Sequence, residues 1–115
     1  MRPTFLERLV ARYVRAFSPE RIMMFGSYAK GTQHDGSDVD LLIVADVDGA
    51  STLHLRRARQ LAADCFPRVD VVFASEAEVA NAASLASPFL LSILGTGVTL
   101  YQRPRDRTVR DQEAT

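Results

Sequence analysis

Gly26-Ser27-Tyr28-Ala29-Lys30-Gly31-Thr32-Gln33-His34-Asp35-Gly36-Ser37-Asp38-Val39-Asp40 decides how this chain is read. Its two ends carry the chemistry. The apolar run Ile22-Met23-Met24-Phe25 leads into Gly26 and is long enough for a buried strand. Gly26 permits an unusual φ or a close backbone approach. Ser27 can cap a short helix from Tyr28 to Lys30, ended by Gly31. A helix start offers free N–H groups and partial positive charge, which favour a phosphate. Taken alone, the same step is also a plain capped turn. No Gly-Lys-Ser/Thr follows at Walker A spacing.

The acidic end reads as a strand, Asp38-Val39-Asp40-Leu41-Leu42-Ile43-Val44. Alternate side chains share a face, so Asp38 and Asp40 point one way and Val39 and Leu41 the other. Two like charges that close repel, more so when buried. A hard cation such as Mg²⁺ between them removes the difficulty. Asp35-Gly36-Ser37-Asp38 also has the composition of a turn, a reading the acid pair alone does not exclude.

A third acid strengthens the metal reading. Arg68-Val69-Asp70-Val71-Val72-Phe73 is β-branched and aromatic, hence a strand. An acid within it is costly unless paired, metal-bound or facing water from an edge. Beside the Asp38–Val44 strand, at a spacing of about 4.8 Å, Asp70 joins Asp38 and Asp40 on one face. Three acids on two strands next to a Gly-Ser turn point to two-metal phosphoryl or nucleotidyl transfer.

Gly26-Ser27-x10-Asp38-x-Asp40, with Asp70 in a later apolar strand, resembles the DNA polymerase β-like nucleotidyltransferase superfamily. The shortness of the chain is similar to its minimal nucleotidyltransferase (MNT) branch. The likeness runs from Arg21 to Phe73 and more loosely to Tyr101, where Ser92 to Tyr101 looks like the closing helix and strand. It implies an α/β (α+β) polymerase β-like fold, a small mixed sheet flanked by helices. It also implies that Asp38 and Asp40 bridge two Mg²⁺ ions and that Asp70 holds the metal that activates the attacking hydroxyl. Gly26 and Ser27 would grip the triphosphate of ATP, with Lys30 nearby. Relatives often carry arginine where Lys30 stands; lysine keeps the charge but loses the bidentate fork.

MNT relatives are commonly encoded with a small helical HEPN protein, an RNase-like toxin. The resemblance therefore implies an antitoxin that moves AMP from ATP to a tyrosine hydroxyl of the toxin, in a hetero-oligomer with it. Larger relatives carry a helical acceptor domain, for which 115 residues leave no room. Two alternatives stand beside this one: a non-catalytic module that masks its partner, and transfer to a small molecule.

The remaining sequence frames these expectations. Residues 1–102 read as one nucleotidyltransferase domain and 103–115 as a polar tail. Acids and bases balance at 14 each, so no strong basic field argues for nucleic-acid binding. A lone Cys65 and a charged, amphipathic N-terminal segment predict a cytoplasmic protein. Thr4 can cap a first helix with Phe5, Leu6, Leu9, Val10, Tyr13 and Val14 on one stripe. Thr52 to Cys65 reads as a helix, with Leu53, Arg56, Arg57 and Leu61 at helical spacing. Arg56, Arg57 and Arg59 read as a solvated face, and His54 as a surface residue. His34 lies in the loop before Asp38, within reach of a nucleotide. Tyr28 suits either stacking on a base or core packing. Ser75-Glu76-Ala77-Glu78 is a capping box, and Ser87-Pro88 opens the last helix. Val79 to Gln102 holds 24 consecutive uncharged residues, broken by Asn81, Pro88 and Gly95. This reads as a buried helix and closing strand, or an apolar partner surface, rather than a membrane span.

Overall fold

The computed structural model describes residues 5–46, 52–82 and 87–104. Helix α1 (Leu6–Phe17) leads into β1 (Arg21–Phe25). A single-turn helix α2 (Gly26–Lys30) follows, then β2 (Val39–Val44) and α3 (Thr52–Leu61). Next come β3 (Val69–Ala74), α4 (Glu76–Ala80), α5 (Pro88–Thr96) and β4 (Val98–Gln102). The strands form one mixed sheet in the order β3-β2-β1-β4. β1 runs antiparallel to both β2 and β4. β2 and β3 are parallel, which requires the long crossover through α3. The mixed α/β fold expected from the sequence is the one observed.

The strand period divides the core in two. Val39, Leu41 and Ile43 of β2 face a cluster with Leu6, Leu9 and Tyr13 of α1 and Ala58 of α3. Leu42 and Val44 face the other way, toward Met23, Ala74, Ala82, Leu90 and Ile93. Leu41, Leu42 and Ile43 are fully buried, so β2 is covered on both sides. Burying each such side chain contributes roughly 1.5–3 kcal/mol. The Tyr13 hydroxyl donates to the Ala58 carbonyl at 2.9 Å, satisfying the polar tip of a fully buried ring. Burial pushes its phenol well above the usual range.

The α1 stripe is as expected, with Leu6, Leu9 and Tyr13 buried and Phe5, Val10 and Val14 packed against them. Thr4 lies outside the described residues. α3 departs from expectation. It ends at Leu61, with turns through Asp64, and Leu53 is 69% exposed. The buried residues here are small ones, Ala58 of α3 and Ala62 just after it, both packed in the larger cluster. His54 is half-buried rather than superficial: its ring lies 6.0 Å from Phe17 and 6.2 Å from Phe73, centroid to centroid. Arg56, Arg57 and Arg59 are exposed, as read. Arg12 bridges α1 to the turn after α3, donating to Asp64 at 2.7 Å and to the Leu61 carbonyl at 2.7 Å. Cys65 is half-buried against the larger cluster, and burial raises its thiol pKa.

Local signals on the second face held. Ser75 caps α4 with a full capping box: Glu78 N–H donates to Ser75 Oγ at 3.0 Å, and Ser75 N–H to Glu78 Oε1 at 2.9 Å. Ser87 caps α5, with Pro88 in its first turn. Phe89 and Leu91 of α5 are exposed, Phe89 meeting Phe25 edge-on at 5.6 Å. No helix among the described residues is long and apolar enough to cross a membrane.

Candidate active site

Register brings the acids together. β2 and β3 pair with Asp40 opposite Asp70, so both carboxylates leave the sheet on one face. Asp38 lies two residues before Asp40, at the mouth of β2. Asp38 and Asp40 are half-buried, and Asp70 is exposed. Burial raises the pKa of Asp40, and the charges of Asp70 and then Asp38 raise it further. The three acids thus share one electrostatic neighbourhood, centred on Asp40.

The glycine turn reaches the same point from the other side. β1 pairs with β2 so that Phe25 stands opposite Asp40. Gly26, the next residue, has φ +74°. A Cβ there would lie 3.2 Å from the Asp40 Cγ and within clash distance of Oδ2. Position 26 therefore excludes a side chain for two reasons, left-handed backbone and the Asp40 carboxylate against it. The phosphate-binding turn and the metal pair suggested by sequence are one contiguous structure.

Ser27 does not cap the short helix. α2 begins at Gly26, and the preceding position, Phe25, makes no side-chain cap bond. The strand runs into the helix with Gly26 as its corner, which places Ser27 inside the first turn. Gly31 ends the helix at φ +75°, as expected, and the Thr32 N–H donates to the Ser27 carbonyl at 2.9 Å. Lys30 is exposed at the far end of α2, and it is not among the charges that shift Asp40.

The loop before Asp38 is a genuine turn as well as a carrier of acid. His34 N–H donates to Ser37 Oγ and Ser37 N–H to the His34 carbonyl, each at 2.9 Å, around Gly36 at φ +90°. His34 is exposed, its ring held by the Asp35 carbonyl at 2.8 Å. Tyr28 is half-buried and packs against the larger cluster, which favours its core reading.

Two cavities flank the acids. One, about 510 Å³, is lined by Tyr28, His34, Asp38, Phe66 and Arg68. The other, about 550 Å³, is lined by Asp70, Arg59, Cys65, Phe66 and Arg68. Phe66 and Arg68 border both and were not singled out from sequence. No local pattern marks them, since their position depends on how the α3–β3 turn meets the sheet edge.

Three carboxylates, the central one destabilised as an anion by burial and then by its neighbours, offer hard oxygen donors of the kind that Mg²⁺ takes. Among the described residues, no group of three or more His, Cys, Asp or Glu side chains is already arranged to hold a metal ion. The set fits ions that arrive with part of their oxygen shell supplied by water and phosphate.

Known proteins resemble this chain. A Methanocaldococcus jannaschii relative, provisionally named a protein adenylyltransferase, is 40% identical over 48 residues, 36% of this chain and 48% of its own length. The match thus spans about half of that relative. A crystal structure of a toxin–antitoxin with AMP-PNP superposes with a TM-score of 0.59 at 24% identity, covering 93% of this chain and 82% of that one. The toxin–antitoxin MntA–HepT gives 0.53 at 19% identity, covering 97% and 79%. A provisionally named nucleotidyltransferase from Sulfolobus solfataricus gives 0.57 at 20%, covering 86% and 78%. At such identities the likeness is one of fold. The model of the nucleotidyltransferase domain matches residues 5–93, across both the glycine turn and the three acids, and the chain therefore belongs to the nucleotidyltransferase domain family.

Proposed function

We propose that the chain is an Mg²⁺-dependent protein adenylyltransferase and the antitoxin of a HEPN/MNT pair, moving AMP from ATP to a tyrosine hydroxyl of its partner. The observation that carries this reading is geometric: Asp40 stands opposite Asp70 across β2 and β3, with Gly26 packed against the Asp40 carboxylate. The partial match to a relative provisionally named a protein adenylyltransferase and the fold shared with toxin–antitoxin structures support it.

Asp38, Asp40 and Asp70 would hold two Mg²⁺ ions, which when bound supply positive charge to the attacking and leaving oxygens. Gly26 and Ser27 position the triphosphate through backbone N–H groups and the Ser27 hydroxyl. Lys30 adds a mobile positive charge on that flank. Asp70, the exposed acid, accepts the hydroxyl proton. The tyrosine oxygen forms its bond to the α-phosphorus as the bond to the β-phosphate oxygen breaks, and pyrophosphate leaves.

The test is direct. The purified chain, a HEPN-domain partner, ATP and Mg²⁺ should give a partner heavier by AMP. An unmodified partner, or equal modification by Asp38→Asn, would overturn the proposal. The masking alternative draws on exposed Phe89 and Leu91. It predicts that Asp40→Ala still protects cells from the partner.

A further inference from the structure

We infer that Phe89, at the start of α5, and Phe25, beside Asp40, form a stacking platform for the base of the nucleotide, one that favours a purine. The inference rests on the adenylyltransferase reading and adds to it which side chains hold the base.

The strand period selects the face. Asp40 shares its side of β2 with Leu42 and Val44, away from α1 and α3. Phe25 stands opposite Asp40 across β1 and β2 and packs on that same side. Directly opposed residues hold their Cβ atoms about 5 Å apart. An aromatic ring thus borders the central acid, one residue before the Gly26 corner. Phe89 extends it, with ring centroids 5.6 Å apart and the rings nearly perpendicular, at 89°.

Phe89 is 52% exposed, although α5 buries Leu90 and Ile93 beneath it. A perpendicular contact occupies at most one face of its ring and leaves the other to a ligand. Reaction geometry sends the base there. Attack and departure lie roughly in line through phosphorus. With the triphosphate at Gly26–Ser27 and the proton taken by Asp70, that line crosses the strands. The ribose hangs from another oxygen of the α-phosphorus, off the line, and so leaves over the sheet face. α5 is the helix that roofs this face. Any base stacks on an aromatic ring through its own π-face, and a purine offers more of it than a pyrimidine.

The cavity of about 510 Å³ beside His34 is the competing seat. Of the three site acids it touches only Asp38. Tyr28 in its wall packs into the cluster on the opposite side of the sheet from the Asp40 carboxylate. A base placed there would lie across the sheet from the acid that Gly26 adjoins, whereas Phe25 and Phe89 lie on the same side as that acid.

The experiment titrates the full chain calorimetrically with ATP, CTP and inorganic tripolyphosphate, Mg²⁺ present. The wild type should bind ATP more tightly than CTP. Phe89→Leu keeps an apolar side chain against Phe25 but removes the ring face. It should weaken ATP at least about fivefold, CTP less, and tripolyphosphate not at all. Phe89→Trp should hold ATP at least as well as the wild type, and His34→Ala should leave its affinity unchanged. A loss of ATP affinity under about twofold in Phe89→Leu overturns the inference. So does an equal loss for tripolyphosphate, which marks a scaffold role, or a loss that falls on His34→Ala, which moves the base to the cavity. If Phe89→Leu loses a HEPN-domain partner but keeps ATP, the patch is a partner contact and the platform falls. No turnover is needed, so a loss specific to ATP supports the platform even where no partner is modified. Conversely, undiminished ATP binding by Phe89→Leu removes the platform and leaves AMP transfer to be judged separately.

Discussion

The two faces of the sheet do different work. One face is sealed: odd residues of β2 meet α1 and α3 over a continuous apolar cluster that contains fully buried Leu9 and Tyr13. The other begins apolar, with Leu42 and Val44 under Leu90 and Ile93, then gives way to Asp40 and Asp70 on the same face. α5 covers that face incompletely, leaving Phe89 and Leu91 exposed. The same two strands therefore hold the fold together through one set of alternate residues and present charge through the other. The strand period thus sets the larger core and the acids on opposite faces of the sheet.

The largest expected effect tests the chemical face. Asp40→Asn or Asp70→Asn should lower transfer of AMP by at least about 10³-fold, or about 4 kcal/mol of barrier. Asp40→Asn should also raise Tm by about 2 °C, because it removes a repelled, half-buried anion; solvent screening limits this gain to a few tenths of a kcal/mol. A fall in Tm would show that Asp40 supports the fold and that the division is false. Next comes the sealed face. Leu9→Ala should cost about 3 kcal/mol in urea unfolding, against about 2 kcal/mol for Leu90→Ala, because the α5 side already admits solvent. The reverse order would place the stabilising core under α5. Ser75→Ala should cost about 1 kcal/mol through loss of the capping box, a change that circular dichroism melting would detect.

The smallest effect concerns pH. Arg12 holds the Asp64 carboxyl down at about 2, against an ordinary 3.8. A depressed acid stabilises the fold above its ordinary value and loses that contribution as pH falls toward about 2. Asp40 has the opposite sign: its raised pKa means that acid relieves the fold there. Tm measured against pH should show a shallower acid decline in Asp64→Asn than in the wild type, and a steeper one in Asp40→Asn. Parallel curves for all three proteins would show that neither carboxyl is coupled to folding as the geometry requires.

Much of this was legible in the sequence. β1, β2 and β3 follow from short apolar runs, and the site acids from their period along β2 and their isolation in β3. Gly31, Ser75 and Ser87 acted as read because caps and turns depend on a few adjacent residues. Failures came where distant elements decide. α3 buries Ala58 rather than Leu53, since its packing against α1 and the sheet, not its local pattern, decides which side faces inward. His54 is drawn against Phe17 and Phe73, which are far from it in sequence. Ser27 reads as a cap because its side chain suits one and Gly26 reads as a turn before it, whereas Gly26 is the corner at which the helix begins. Glycine at position 26 was legible, but not its reason, a carboxylate fourteen residues away. Phe66 and Arg68 gave no signal, because apolar content predicts burial and nothing local predicts a sheet edge.

The crowding of Asp40 has an evolutionary consequence. Its ionised form is opposed by burial and by two like charges, so replacement by a neutral residue relieves the domain. In a lineage released from the reaction, mutational drift would run downhill toward loss of that acid before it reached α1 or the sealed face. Decay would begin at the active site and leave a sound scaffold behind. An intact Asp40 is thus held against the fold's own preference, as the proposed reaction would require.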